Sequence, residues 1–315
     1  MDKSLFYRIF NFLVESSIPL RGLPVANKGP ADLSFRLASP LTSPVEYSWL
    51  HHFHADDGVI TLSVARTEEG YCLRYPGIAD YHIEQEGSAI TCHPYINVPE
   101  YTLRHLLLDQ IFPRLLGQQG HTVVHGSAVE IDGRGVAMIG TSGSGKSTLA
   151  ASFHAAGHTL LGDDSLLLQR QDRQVTGTPA YRSVRLWNDM AESLIVESER
   201  MEYLSHYAEK RQLLFQGDEG DRNRVVPLSA LFILSPSADP DEVRISRLSG
   251  NDSAMLLMNH SFLFDRCSRD MLKRKFMDTA AIAGSGLEVY RLDYPHNLEL
   301  LPRVHAGILQ TLLHS

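Results

Sequence analysis

The sequence predicts an α/β fold in which a phosphate-loop core with a mixed sheet is joined to a β-rich N-terminal lobe. Three observations carry this prediction. A complete G-x-x-x-x-G-K-[ST] loop lies between an apolar strand pattern and a helix-prone segment. The first hundred or so residues break into short alternating runs separated by turn residues. From the loop to the C-terminus, helix and strand patterns alternate. The expected division is a lobe with its linking helix over 1–118 and a phosphate-loop domain over 119–315.

In chain order, "MDKSLFYRIFNFLVESSIPL" has its apolar run broken by Arg8, Asn11 and Glu15 and lacks a small-residue cleavage site, so it reads as a helix of the fold rather than a signal peptide. "GVITLSVAR" and "GYCLRYPG" read as strands flanking the turn residues of "TEEG", and "GSAITCHPYINV" reads similarly. "HHFHADD" (51–57) has the residue types of a metal site, but no Cys or His cluster pairs with it at a known spacing; it reads as a surface loop. "PEYTLRHLLLDQIFPRLLGQQG" repeats Leu103, Leu106, Leu107, Ile111 and Leu115 at helical spacing. Pro99 suits its start, Pro113 a kink, and Gly117 with Gly120 its end. "HTVVHGSAVEIDGRGVAMIG" holds two apolar strands around Asp132-Gly133, a strong hairpin signal.

The second of these strands runs into Gly140, Thr141, Ser142, Gly143, Ser144, Gly145, Lys146, Ser147 and Thr148. Glycines there let backbone N–H groups turn inward around phosphate oxygens. Lys146 reaches the terminal phosphates, Ser147 offers a hydroxyl to magnesium, and a helix beginning near Lys146 directs its positive end at the anion. ATP and Mg2+ are therefore the expected cofactors. The helix is only about ten residues long before Gly157. "HTLLGDDSLLL" then reads as a strand, an interruption at Asp163-Asp164, and a second strand. The quick return places two carboxylates near the phosphates, on the strand next to the loop's own. One can ligate the metal and the other accept a proton from an attacking hydroxyl. His125, among apolar neighbours on the adjoining hairpin, is either a core histidine or a group facing the phosphates.

Composition sets outer bounds. The 315 residues are 43% hydrophobic and 21% charged, with a formal net charge of −8, which argues against a nucleic-acid partner. The three cysteines form no C-x-x-C pair, so a reducing cytoplasm fits. No run of 18 apolar residues suggests a membrane span. "RCSRDMLKRKF" reads as a solvated basic helix face, and "AGSG" (283–286) as a turn at a helix end. Asn251 and Asn259 fit the glycosylation pattern without a secretory context to give it meaning.

The order His125-Gly126, then Gly140 to Ser147, then Gly157-His158-x-Leu-x-x-Asp163-Asp164, resembles HPr kinase/phosphorylase. The resemblance implies a core of the HPr kinase and phosphoenolpyruvate carboxykinase type. It also implies roles: Lys146 on the phosphates, Ser147 and Asp164 on magnesium, Asp163 as the proton-accepting base, and His125 assisting. "GTPAYRSVRLW", "EKR", "VVPLSALFIL" and "LEVYRLDYPHNL" look like the HPr-kinase-related proteins found with modified peptides, including lasso-peptide precursor kinases. That points to a peptide or small-protein acceptor, and a homo-oligomer stays open. Arg182, Arg185, Lys210 and Arg211 are candidates for holding phosphate or an acidic substrate end. Two other readings stand beside this one: a metabolite kinase of the same core, and a non-catalytic ATP-binding switch.

Overall fold

The structure is a computed structural model that describes residues 4–187, 200–205, 208–214, 224–239 and 241–314. It opens with an eight-stranded sheet: β1 (Leu5–Ile9), β2 (Phe12–Ser16), β3 (Leu33–Leu37), β4 (Trp49–His54), β5 (Ile60–Thr67), β6 (Gly70–Tyr75), β7 (Ala79–Glu84) and β8 (Ala89–Pro94). The spatial order is β1-β2-β3-β8-β7-β6-β5-β4. β3 runs parallel to both β2 and β8, and the other pairs are antiparallel.

Two expectations for this lobe are corrected. The N-terminal stretch is a hairpin, not a helix. Phe10 and Asn11 both take positive φ (50° and 71°), the conformation of a tight two-residue hairpin turn, so Ile9 pairs with Phe12. Its apolar residues follow neither a strict alternation nor a helical stripe, so periodicity alone does not separate strand from helix. "HHFH" is likewise not a loop but the edge strand β4, whose side chains alternate in exposure as they pair with β5.

The linking helix is α1 (Glu100–Leu106), a π-helical turn (Leu107–Ile111) and α2 (Phe112–Gln118) in succession. Pro113 cannot donate to the carbonyl of Asp109 four residues back, and the wider turn accommodates that loss. One face of this helix is fully buried through Leu107, Ile111, Phe112 and Leu116.

The second sheet contains β9 (Thr122–Val124), β10 (Gly126–Ile131), β11 (Arg134–Ile139), β12 (Thr159–Gly162), β13 (Leu166–Gln171), β14 (Gln174–Pro179), β18 (Val226–Pro236), β19 (Arg244–Arg247) and β20 (Glu288–Tyr294). Its order is β12-β10-β11-β18-β14-β13-β9, with β20 pairing β18 and β19. β11, β18 and β20 are mutually parallel and the rest antiparallel, so the sheet is mixed as expected. β15 (Ser183–Trp187), β16 (Arg200–Ser205) and β17 (Ala208–Leu214) form a small third sheet. Asp132 and Gly133 make the β10–β11 turn with positive φ, as the Asp-Gly pair foretold.

The helices of this half are α3 (Lys146–Ala155), α4 (Gly250–Asn259), α5 (Arg269–Ala283) and α6 (Leu301–Leu313). α3 and α6 cover one face of the second sheet through Leu149, Phe153, Val304 and Ile308. Leu257 and Ile282, from α4 and α5, pack on the other. A third apolar cluster joins the N-terminal lobe and its linking helix to Val123, Leu167, Tyr181, Phe262 and Phe264. The core therefore continues across residue 118. Each fully buried aromatic or aliphatic side chain in it contributes about 1.5–3 kcal/mol, which fixes the linking helix against the phosphate-loop half.

Candidate active site

β11 delivers the chain into the loop, and α3 starts at its far side. Gly145 has φ 92°, and a side chain there would collide with the Tyr294 hydroxyl, which donates to the Ser144 carbonyl at 3.3 Å. Only glycine satisfies both constraints. Lys146 is nearly buried and its ammonium donates to the carbonyls of Gly140 (3.1 Å) and Thr141 (2.8 Å). The buried Ser144 hydroxyl has no hydrogen-bond partner among the described residues. A glycine-rich turn, a helix N-terminus and an unsatisfied hydroxyl in one cradle fit a phosphate group.

The aspartate pair lies between β12 and β13. β12 pairs with β10 rather than with the loop's strand, so the expectation of adjacency is corrected: one strand intervenes. β10 starts at the phosphate-loop end of the sheet, and His125 immediately precedes it, so the aspartates and His125 still meet. Gly126 donates its N–H to the Asp164 carbonyl at 3.3 Å and lies so close to Met138 that a Cβ would not fit.

The two aspartates face different ways. Asp163 is 2% exposed; its Oδ1 accepts from the Ser127 hydroxyl at 2.5 Å and its Oδ2 from the Arg185 backbone N–H at 3.0 Å. Asp164, held at φ 74°, lines a cavity of about 760 Å³ together with His125, Arg185 and the loop residues Gly140–Gly143 and Gly145–Thr148. Its Oδ2 meets the Arg185 guanidinium at 2.5 Å, and its Oδ1 is 3.8 Å from His125 Nδ1. Burial pushes the Asp164 pKa upward, but the Arg185 guanidinium and His125 outweigh it and hold the carboxyl well below its usual range. A carboxylate kept ionised in the same cavity as Ser147 fits magnesium.

His125 Nδ1 is 2.8 Å from the Asp164 carbonyl oxygen, which can only accept. The neutral ring therefore carries its proton on Nδ1 and leaves Nε2 with a lone pair. Burial and the Lys146 charge, opposed by Asp164, lower the His125 pKa to about 4. At neutral pH the ring is uncharged.

Several site residues carry no motif. Arg185 is buried and bonds Asp109 at 2.5 Å as well as Asp164. Asp109, on the π turn, also accepts from Tyr181 Oη (2.8 Å) and contacts His105 Nδ1 at 2.8 Å. Burial lowers the Arg185 pKa, but Asp109 and Asp164 overcome it and raise the pKa well above normal. A chain of charges thus runs from the linking helix to the phosphate site. An apolar helix interrupted by one aspartate just before a proline was the available signal for Asp109.

The remaining candidates divide. Arg182 lies away from this cavity, beside Pro179 and Arg224. Lys210 and Arg211 fall in β17, opposite Trp187 and Leu186, and their side chains lie outside the described residues. The basic stretch 266–276 is not a uniformly solvated helix face. Arg266 precedes α5 and lines the cavity, and Lys275 is buried and donates to the His121 carbonyl at 2.6 Å. His54 of β4 also reaches the cavity.

The phosphate loop and the Asp164 carboxylate thus line one cavity, a lining suited to a phosphorylated ligand. Residues 118–187 match the family model of the HPr Serine kinase C-terminal domain. The HPr kinase/phosphorylase of Chlorobium limicola is 30% identical over 120 residues, which is 37% of this chain and 31% of that protein. That of Pelodictyon phaeoclathratiforme is 26% identical over 153 residues, 49% of this chain and 36% of the relative. That of Bacillus cytotoxicus is 45% identical over 51 residues, 16% of each. The chain thus spans about a third of the length of the first two relatives. The solved HPr(Ser) kinase/phosphatase of Coxiella burnetii is 16% identical with a TM-score of 0.32, over 61% of this chain and 99% of that one. The chain is similar to the HPr kinase/phosphorylase family, through the segment that builds the floor of the cavity. No described helix is long and apolar enough to cross a membrane.

Proposed function

We propose that this protein is an ATP- and magnesium-dependent kinase that transfers the γ-phosphoryl group to a serine or threonine hydroxyl of a peptide or small protein. One observation carries the reading. The phosphate loop, Asp164, His125 and Arg185 converge on a single cavity that extends beyond the loop to the N-terminal lobe, giving a donor site and an adjoining acceptor space. The peptide acceptor is the finer part. It rests on the resemblance of residues 177–187, 209–211, 225–234 and 287–298 to kinases of modified peptides.

Magnesium, when bound, would offset the charge of the phosphate groups. Ser147 and Asp164 are the residues to hold it. The loop N–H groups and Lys146 hold the phosphates, with Lys146 exchanging its loop carbonyls for phosphate oxygen. The acceptor oxygen bonds to the γ-phosphorus as the bond to the bridging β–γ oxygen breaks, and ADP leaves with that electron pair. The hydroxyl proton needs an acceptor on the protein. Resemblance assigns Asp163. Its two occupied oxygens favour a second assignment, in which Asp163 anchors the Arg185 backbone and His125 Nε2 takes the proton.

Asp163→Asn and His125→Gln, assayed for phosphoryl transfer and for ATP binding, separate these. With Asp163 as the base, Asp163→Asn abolishes transfer, retains ATP binding and leaves the thermal midpoint near wild type. With Asp163 as an anchor, the midpoint drops and His125→Gln is the variant that loses transfer. ATP binding by the wild-type protein without transfer to any hydroxyl acceptor would rule out the kinase reading.

A further inference from the structure

Beyond Asp164 the cavity ends in a basic mouth. Arg114, one helical turn after Gln110 on the linking helix, lies with its guanidinium 5.3 Å from the ring centre of Phe262 and 5.6 Å from that of Phe53. Arg266, arriving from the segment after α4, covers the same Phe53 ring at 4.7 Å. Both arginines line the phosphate-loop cavity. Partial burial and then the Arg114 charge lower the Arg266 pKa, as expected for two cations held side by side.

Among the described residues no carboxylate forms a salt bridge with Arg114 or Arg266. Arg114 Nη1 donates only to Gln110, through its carbonyl at 3.1 Å and its Oε1 at 2.6 Å, and its buried Nε has no partner. The adjacent acid, Asp265, is occupied elsewhere, accepting from Tyr71 Oη at 3.0 Å and from the N–H groups of Cys267 and Ser268. Two guanidiniums stacked on one aromatic ring, with a buried donor unused, form a fork for a carboxylate.

Phe262 sets the distance from the chemistry. Its ring centre is 5.9 Å from that of His125 and 5.3 Å from the Arg114 guanidinium, so the two lie no more than about 11 Å apart. An extended peptide covers that span in roughly three residues.

We propose that Arg114 and Arg266 form an acceptor subsite that selects peptides bearing a carboxylate within about three residues of the phosphorylated hydroxyl. This rests on the kinase reading for the word acceptor, but the subsite is testable without it. The same fork chemistry would also hold a phosphate of the nucleotide, so the experiment includes a donor arm.

Synthetic serine peptides with Asp at each position from −4 to +4, and their Asn counterparts, are tested in two ways against the full protein. One assay measures fluorescence-anisotropy binding in the presence of a non-hydrolysable ATP analogue and Mg2+. The other measures transfer from labelled ATP. The proposal expects about tenfold or tighter binding of the best Asp peptide over its Asn partner. It also expects loss of that preference in Arg266→Glu, with Arg114→Lys weakening it less. Affinity for the ATP analogue should be unchanged in Arg266→Glu. Equal binding of Asp and Asn peptides by the wild type overturns the subsite. So does a parallel loss of nucleotide affinity in Arg266→Glu, which would assign the arginines to the donor. Charge-selective binding with no transfer would support the subsite and defeat the kinase reading instead.

Discussion

The floor and the roof of the cavity are built by opposite strategies. The floor, residues 125–185, is drawn from one stretch of chain and grips mainly through backbone geometry: glycines at positive φ, a helix N-terminus and a left-handed aspartate. The roof is assembled from residues far apart in sequence, with the side chains of His54, Gln110, Arg114 and Arg266 among its lining residues. Backbone donors suit a ligand part that never varies, such as a polyphosphate. Side chains on separate elements can change without rebuilding the fold, which suits an acceptor. The sequence likeness follows this division: the matched segment, 118–187, is the floor.

The largest expected effect breaks the floor. Lys146→Ala removes the buried ammonium from the loop and should reduce transfer by about 10²–10³ or more, with a clear loss of ATP affinity. Steady-state transfer and nucleotide titration check this. Wild-type turnover in that variant would show that the loop is not the donor site.

A smaller effect tests whether floor and roof depend on each other. Asp109→Asn leaves the buried Arg185 with Asp164 as its one salt-bridge partner among the described residues. Breaking a buried pair costs about 3–5 kcal/mol, so thermal unfolding should shift down strongly and transfer fall about tenfold as Asp164 loses its fixed neighbour. Glu100→Gln on the same helix is the control. Its contact with Arg104 is exposed and 3.8 Å long, so stability should change by less than about 0.5 kcal/mol. Equal shifts in the two variants would mean that Asp109 is merely another helix residue.

What was legible follows the same line. The loop, the Asp132-Gly133 turn and the ten-residue helix depend on neighbours within a few positions, and they stand where the sequence puts them. Arg185 and Arg182 were indistinguishable as letters; only the turn after β14 sends one inward and the other away. Asp109 and Tyr181 were overlooked because their meaning is a contact across 72 residues. The N-terminal hairpin misled for another reason. A segment buried on both faces loses the alternation that marks a strand, and two non-glycine residues made its turn.

The smallest effect concerns His125, where floor and roof touch through Phe262. Its pKa falls from the ordinary histidine value to about 4 in the folded protein, because burial and Lys146 outweigh Asp164. Between about pH 6.5 and 4 the unfolded chain therefore binds a proton at this position that the folded chain refuses. The stability it confers is fully present above pH 6.5 and is lost as the pH falls toward 4, by at most about 1.4 kcal/mol per pH unit. His51, His82, His121, His260 and His305 are also lowered, chiefly by burial, so His125→Gln should flatten the acid slope of the thermal midpoint without abolishing it. Asp164 belongs to a more acidic range, because its pKa is held down rather than up, and does not enter the comparison. Midpoints measured from pH 4 to 7 decide the matter. Superimposable slopes for wild type and His125→Gln would mean that the ring is not kept neutral by burial, and its Nε2 lone pair would then lose its claim to the acceptor's proton.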